Sequence, residues 1–259
     1  MEENREPVKI KICGLMTLED VAAVNAAKPD YAGFVLAKSR RRISREHARL
    51  LRMELDPSIR AVGVFVNELP QIVAGYLEDG IIDIVQLHGQ EDETYLRRLR
   101  FLTGEPVIQA FSVESAADLE KAEQSSADLI LLDHGSGGTG GKFAWELLES
   151  VRRHYLLAGG ITPDNVEEAV QRYHPFGIDV SSGVETGLLQ AKCPFSIIAP
   201  VTRLSLLSYH LIHLANGTKK CVPFLAVRIK LARYVILLRR KLKMPFLNSP
   251  GNKKRRPDG

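Results

Sequence analysis

Two residues, Cys13 and Asp133, pair a candidate base with a candidate acid. Each ends a short apolar segment, Cys13 after Lys11-Ile12 and Asp133 after Leu131-Leu132. A cysteine acts as a general base only as its thiolate, so its site must lower a free-thiol pKa of about 8.5. An aspartate acts as an acid only where its surroundings keep the carboxyl group protonated. Each residue also has a structural interpretation, Cys13 as a small buried apolar side chain and Asp133 as a cap for Gly135.

Eight apolar segments of this kind are typical of strands in a parallel sheet that is covered on both faces. Their ends lie 21 to 31 residues apart, the length of one strand plus one helix. The repeat predicts an α/β fold, a (β/α)8 TIM barrel, with its chemistry at the carboxyl ends of the strands. An open doubly wound sheet is the competing fold, but residues 11–15 hold a single glycine where that fold normally has a glycine-rich turn. The strands are predicted to end near Gly14, Leu36, Asn67, Gly89, Ser112, Asp133, Gly160 and Ser182.

The intervals between the strands carry apolar residues at three- and four-residue steps, as amphipathic helices do. Thr17, Ser44 and Thr162, the last ahead of Pro163, have the residue types and positions of helix N-caps. Six helices are predicted, over residues 15–27, 44–55, 69–79, 91–102, 114–124 and 162–172.

Glycine-rich and hydroxyl-rich loops follow the last three predicted strands. Glycine lets backbone N–H groups approach an anion closely, serine and threonine add donors, and barrels often bind phosphate beyond strands seven and eight. Tight turns are the alternative explanation for any one of these loops, but three of them meeting at one rim favour phosphate. The predicted phosphate-binding residues are Gly138, Thr139, Gly140, Gly159, Gly160, Ser181, Ser182 and Gly183.

The chain changes character near Thr186. Residues 1–186 hold 20 Lys and Arg against 30 Asp and Glu, whereas residues 187–259 hold 15 against one. We therefore divide the chain into a catalytic barrel, residues 1–186, and an atypical basic C-terminal extension, residues 187–259, partly helical or disordered. The extension is either a surface for anionic membranes or nucleic acid, or an aberrant product of a shifted reading frame.

The cysteines set the expected compartment. Cys13, Cys193 and Cys221 are too few and too scattered for a disulfide framework or a zinc site, and no signal peptide precedes the first strand. We expect a reducing, cytoplasmic environment.

Seven short motifs follow one another along the chain: KICG at 11–14, VFVN at 64–67, QLHG at 86–89, LLD at 131–133, GTG at 138–140, LAGGI at 157–161 and DVSSGVE at 179–185. By the order and spacing of these motifs, residues 8–186 resemble the phosphoribosylanthranilate isomerases of tryptophan biosynthesis. The resemblance implies a TIM-barrel isomerase that converts N-(5′-phosphoribosyl)anthranilate to 1-(2-carboxyphenylamino)-1-deoxyribulose 5-phosphate by an Amadori rearrangement. It implies a small-molecule substrate, no cofactor, no metal, no nucleic acid or membrane partner for the barrel, and a monomer or homodimer.

The resemblance also assigns roles by position. Asp133 falls on the acid that protonates the furanose ring oxygen, and Cys13 on the base that removes the C2′ proton. Arg41 falls on the arginine that binds the anthranilate carboxylate, a task that suits a planar guanidinium. A solvated basic loop is the alternative for Arg41. His88 and Asp179 are weaker candidates for substrate binding. A hydrogen-bonded structural role is the favoured interpretation of His88, and Asp179 either orients the sugar ring or satisfies the barrel interior.

The resemblance ends at Thr186, where the family continues with an eighth helix that packs against the first and eighth strands. Pro194 and Pro200 break any long helix at that place, so we expect the eighth helix to be missing or replaced. If nothing covers these strands, they expose on the order of several hundred Å² of apolar surface, at about 25 cal/mol per Å². The alternatives to an active isomerase are therefore a degraded, inactive barrel or a different sugar-phosphate-binding barrel enzyme.

Overall fold

A computed structural model of the chain describes residues 7–134, 145–186 and 191–192. In this part of the chain eight parallel strands pair in sequence order, and the last strand pairs with the first to close a barrel. The predicted (β/α)8 architecture is confirmed. The strands are β1 Lys9–Cys13, β2 Tyr31–Val35, β3 Arg60–Phe65, β4 Ile84–Leu87, β5 Val107–Val113, β6 Leu129–His134, β7 Tyr155–Leu157 and β8 Gly177–Val180.

Six α-helices lie where the sequence pattern predicts them: α1 Leu18–Ala27, α2 Arg45–Glu54, α3 Pro70–Glu78, α4 Glu93–Thr103, α5 Ala116–Gln124 and α6 Val166–Tyr173. The Thr17 and Ser44 caps are confirmed, because each side chain accepts a backbone N–H of its helix. The Thr162 cap is wrong. Asn165 precedes α6 instead, since its side chain accepts from Thr162 N at 2.8 Å and donates to Gly160 O at 2.8 Å, which closes a turn before the helix begins.

The last quarter of the barrel departs from the regular repeat. Between β6 and β7 the described residues form a 3-10 helix, Trp145–Ser150, and after β8 they form a short 3-10 helix, Ser182–Val184. Two short antiparallel strands follow, β9 Glu185–Thr186 and β10 Ala191–Lys192, so the described residues hold no eighth helix at this place. The rest of the predicted extension lies outside the described residues. Within those residues no helix is long and apolar enough to cross a membrane.

The apolar exposure that a missing eighth helix would cause does not occur on the strands themselves. Ile10 and Ile12 of β1 and Ile178 and Val180 of β8 are all at most 3% exposed. They belong to the large core cluster that lies between the strands and the helices. The outer face of the β1–β8 seam is therefore buried.

A second, smaller apolar cluster fills the inside of the barrel. Its members come from β3 to β7, among them Val62, Ile84, Ile108, Leu131 and Leu156. Because side chains alternate along a strand, inward positions lie two residues apart. The apolar layer below thus fixes which residues of the next layer point inward toward the carboxyl-end mouth.

Arg153 holds the irregular segment before β7 against α5. Its guanidinium donates to the Ser125 and Ala127 carbonyls, at 2.6 Å each, and to the Ala122 carbonyl near the end of α5 at 3.2 Å. A cation at the last carbonyls of a helix also interacts favourably with the helix dipole. One side chain therefore ties together the end of α5, the approach to β6 and the approach to β7.

We expect Arg153→Met to lower the free energy of unfolding by about 2 kcal/mol, because hydrogen bonds from a charged donor contribute about 1.5–3 kcal/mol. Its neighbour Arg152 is exposed and hydrogen bonds through its backbone N–H, so Arg152→Met is the matched control and should change stability by less than about 0.5 kcal/mol. Denaturant unfolding of both variants measures the difference. Equal losses in the two variants would contradict the assignment.

Candidate active site

Strand alternation places polar side chains in the inward layer above the apolar barrel interior. Each of these residues lies two positions after another inward-pointing residue of the same strand. The set comprises Lys11 and Cys13 of β1, Gln86 of β4, His88 just after it, Asp133 of β6 and Asp179 of β8. Four of these residues were predicted from the sequence, whereas Lys11 and Gln86 were missed. The signal that could have found them is their position two residues before Cys13 and His88.

Cys13 is the last residue of β1 and is 9% exposed. Gly33 of β2 stands opposite it, and a Cβ at Gly33 would lie 2.7 Å from the Cys13 Sγ atom. The Ser181 hydroxyl donates to the Cys13 carbonyl at 2.9 Å, which ties the end of β1 to the residue after β8. Glycine on one side and a hydrogen bond on the other therefore fix the thiol at the rim.

Lys11 is fully buried and forms an ion pair with Asp179, with 2.9 Å between Nζ and Oδ2. Cys13 is the next inward residue of β1, two positions further along the strand. Burial alone would lower the pKa of Lys11, yet its interactions with Asp179 and Cys13 outweigh burial and raise that pKa above its ordinary value. Asp179 Oδ1 is buried and has no hydrogen-bond partner among the described residues. The lysine is therefore a fixed positive charge beneath the thiol.

Asp133 and His88 face each other across the mouth, with 3.6 Å between Asp133 Oδ2 and His88 Nε2. Gln86 Nε2 lies 3.2 Å from His88 Nδ1. Gln86 is buried, which holds the imidazole at the rim from below.

Arg41 lies over the end of β1 and is paired with Glu185 after β8. Glu185 Oε1 accepts from Arg41 Nε at 2.9 Å and lies 2.8 Å from Nη2. Gly14 has φ +82°, and a Cβ there would lie 2.5 Å from Arg41 Cδ, so glycine is needed for the arginine to pass. At 22% exposure of its side chain, Arg41 differs from the solvated Arg40 beside it, which is 64% exposed. The alternative of a solvated basic loop is therefore wrong for Arg41.

Two of the three predicted phosphate loops are described. Gly159 and Gly160 after β7 have φ +78° and +69°, conformations that glycine adopts without strain. Gly183 in the Ser182–Val184 turn lies against Ile161, where a Cβ would stand 2.0 Å from the Ile161 carbonyl oxygen. The β7 and β8 loops are thus in contact, with Ser181 turned to Cys13 and Ser182 in the turn itself. Gly138, Thr139 and Gly140 lie outside the described residues.

A carboxyl group and a thiol at the mouth of a (β/α)8 barrel, with an arginine and glycine loops at the same rim, are typical of a TIM-barrel enzyme. A model of the N-(5′-phosphoribosyl)anthranilate isomerase family matches residues 10–191, and the chain belongs to that family.

Individual relatives agree with the family match. The chain is 47% identical over 182 residues to the N-(5′-phosphoribosyl)anthranilate isomerase of Endomicrobium trichonymphae, covering 69% of this chain and 90% of the relative. One solved structure is a phosphoribosyl anthranilate isomerase in complex with reduced 1-(o-carboxyphenylamino)-1-deoxyribulose 5-phosphate. It is 35% identical in sequence to this chain and superposes with a TM-score of 0.68, and the match covers 76% of this chain and 100% of the other. A second solved structure shows monomers generated from the dimeric phosphoribosylanthranilate isomerase of Thermotoga maritima. It is 35% identical in sequence with a TM-score of 0.67, and the match covers 76% of this chain and 100% of the other.

We expect Gly33→Ala to displace the Cys13 thiol, because the added methyl group would overlap Sγ. Overpacking of this kind costs about 1–3 kcal/mol. Gly63→Ala is the matched control, since its Cβ would meet Ile82, just before β4, and Phe65 of the same strand at 2.8 and 2.9 Å, away from the thiol. The test compares the two variants, by denaturant unfolding and by the alkylation rate of Cys13. Both should lose stability, and only Gly33→Ala should change the alkylation rate.

Proposed function

We propose that the chain catalyses the Amadori rearrangement of N-(5′-phosphoribosyl)anthranilate, with Asp133 as general acid and Cys13 as general base. The observation that carries the proposal is the placement of these two groups in the inward layer of one mouth, on β6 and β1 of the closed barrel. Family membership supplies the substrate. The proposal rests on no single motif, because the acid, the base, the arginine and the phosphate loops all lie on one rim.

The acid step opens the sugar ring. Asp133 donates a proton to the furanose ring oxygen, the C1′–O bond breaks, and the nitrogen lone pair forms a Schiff base. His88 lies beside the carboxyl group of Asp133. It holds Asp133 toward the mouth and stabilises the ring oxygen during the proton transfer. A positioned acid of this kind contributes about 10²–10⁴-fold to a rate.

The base step forms the product. The Cys13 thiolate takes the C2′ proton, the C–H electron pair becomes the C1′–C2′ double bond, and the Schiff-base nitrogen is neutralised. The resulting enolamine then tautomerises to the ketone. Asp179 Oδ1, buried and without a hydrogen-bond partner among the described residues, accepts a ribose hydroxyl and orients the C2′ proton toward the thiolate.

Arg41 binds the anthranilate carboxylate. Glu185 occupies the Nε and Nη2 edge of the guanidinium, which leaves the edge formed by Nη1 and Nη2 for a second carboxylate. Guanidinium groups bind carboxylates in this two-point manner. Glu185 therefore orients the arginine for the substrate.

The phosphate binds opposite the anthranilate, at the loops that follow β6, β7 and β8. The backbone N–H groups of Gly159, Gly160, Ser182 and Gly183 supply donors without adding side-chain charge. Residues 138–140, predicted from the sequence for the same role, lie outside the described residues. Gly160 after β7 supports this placement, because a Cβ there would meet no atom of the described residues within 4 Å, so its backbone is open to an approaching anion.

The remaining expectations are part of the proposal. Residues 1–186 form the catalytic barrel and residues 187–259 an atypical extension, whose basic composition suits contact with anionic surfaces. The chain acts as a monomer or a homodimer. We place the reaction in the cytoplasm, because a thiol base must remain reduced.

Turnover of freshly generated phosphoribosylanthranilate, followed by loss of its fluorescence, tests the proposal. We expect Cys13→Ala and Asp133→Asn each to lower kcat about 10²- to 10⁴-fold while leaving the fold intact. Arg152→Met should turn over like the parent chain. A folded parent chain without turnover would contradict the proposal and favour the degraded barrel.

We expect Arg41→Met to raise KM about 10- to 100-fold, the loss of one charge-assisted pair. The analogue made from aniline, which lacks the carboxylate, should lose no further binding in this variant. Arg40→Met is the matched control, since Arg40 is exposed and lies 3.8 Å from Glu185. An equal loss for both substrates would show that Arg41 does not meet the carboxylate.

A further inference from the structure

A buried cation stands directly beneath the proposed base. Lys11 and Cys13 occupy successive inward positions of β1, and the lysine is completely buried. Its Nζ atom is 2.9 Å from Asp179 Oδ2, and Cys13 is close enough to help raise the pKa of the lysine. The acid–base mechanism described above assigns no step to this lysine.

A buried ion pair is weak evidence for a role in stability. Removing a lysine and an aspartate from water costs several kcal/mol per charge, and well-packed apolar residues of the same volume are often at least as stable. The inner barrel shows this choice directly, since Ile84, Ile108 and Leu131 fill equivalent inward positions on other strands. The charges at Lys11 and Asp179 therefore call for a chemical explanation.

The thiol supplies that explanation. A mostly buried cysteine has a strong preference for its neutral form, because burial disfavours the charged thiolate. The base step needs the thiolate. A buried ammonium on the same strand face reverses the preference. An ammonium without its own counter-charge would hold the thiolate so strongly that the thiolate became a poor base.

We propose that Lys11 is a positioning residue for the isomerisation: its ammonium, anchored by Asp179, holds Cys13 as a thiolate, and Asp179 limits how strongly it does so. Lys11 stays protonated throughout. When Cys13 takes the C2′ proton, the cluster of Lys11, Asp179 and Cys13 passes from a net charge of −1 to 0, so no further proton transfer is needed. The role of Lys11 in catalysis rests on the proposed function, whereas its effect on the ionisation of Cys13 does not.

Other charged groups reach the same rim and must be separated from Lys11. Arg41 passes over Gly14 but is paired with Glu185. His88 faces Asp133 across the mouth. On β2 the residue opposite Cys13 is Gly33, which carries no charge. Lys11 is therefore the cation that the geometry assigns to the thiol, and Arg41 is the one to test against it.

The experiment titrates the far-ultraviolet absorbance of the Cys13 thiolate in the full chain with Cys193→Ser and Cys221→Ser, using Cys13→Ser as the blank. Three variants are compared in this background: Asp179→Asn, the double variant Lys11→Met/Asp179→Asn, and Arg41→Met. The double variant avoids leaving a lone carboxylate buried, which would cost about 3–5 kcal/mol. Circular dichroism checks that each variant folds.

The two charge variants should shift the ionisation of the Cys13 thiol in opposite directions. Asp179→Asn should hold more thiolate at a given pH than the parent, because Lys11 loses its counter-charge. The double variant should hold at least about tenfold less thiolate at pH 7 than Asp179→Asn, the usual effect of removing an adjacent charge. Arg41→Met should titrate like the parent. With substrate, the double variant should lose kcat more than KM, and its pH–rate profile should move to higher pH.

Either of two results would overturn the inference. The first is a parent thiol that titrates at or above the free-cysteine value of about 8.5, which needs no variant at all. The second is the same titration in Asp179→Asn and in the double variant. Absence of turnover in the parent would sink the proposed function, but the thiolate titration would still decide the role of Lys11.

Discussion

The pairing of β1 with β8 is the contact on which both the barrel and its site depend. The register sets Lys9 opposite Gly177 and Lys11 opposite Asp179. A Cβ at Gly177 would lie 2.6 Å from the Lys9 carbonyl oxygen, so glycine allows the two strands to approach. A shift of one residue would turn Asp179 away from Lys11 and out of the barrel. Closing the barrel and forming the Lys11–Asp179 pair are therefore the same structural event.

This closure concentrates polar groups in one layer of an otherwise apolar interior. The lower layer is filled by Val62, Ile84, Leu131 and their neighbours, which exclude water from below. In such a setting a charge interacts strongly with whatever lies beside it, because little solvent screens it. The same surroundings that make Lys11 costly to bury make it effective on Cys13. Burying these charges thus lowers the stability of the fold but controls the protonation of Cys13, a compromise that is common at functional positions.

The strands and helices could be predicted well from the sequence because both the strand segments and the helix segments of the repeat have clear apolar patterns. Strand alternation and helical periodicity agree with each other along β1 to β5 and α1 to α5, and the caps at Thr17 and Ser44 follow local rules. Prediction failed where a single side chain overrides local preference, as Asn165 does before α6.

The site was predicted less completely than the fold. Cys13, Arg41 and Asp133 could be found from motifs, whereas the pairing of Arg41 with Glu185 spans 144 positions of sequence and depends on barrel closure. Lys11 was missed because a lysine in a strand normally suggests exposure. Only its partner on β8 explains why it is buried.

The atypical C-terminus lies beyond every group that is proposed for the chemistry. Every residue proposed for catalysis or binding lies at or before Glu185, and Glu185 follows the Ser182–Val184 turn that Gly183 seats against Ile161. Two contacts tie this stretch to β1, the Ser181 hydrogen bond to the Cys13 carbonyl and the Arg41–Glu185 pair that passes over Gly14. Neither contact requires an eighth helix. What an eighth helix normally adds is cover for the outer face of the seam, and there Ile12 and Ile178 are fully buried. The inner face, which holds the groups proposed to react, is therefore fixed by β8 and the five residues that follow it, and no residue beyond Thr186 is among the described residues proposed for catalysis or binding.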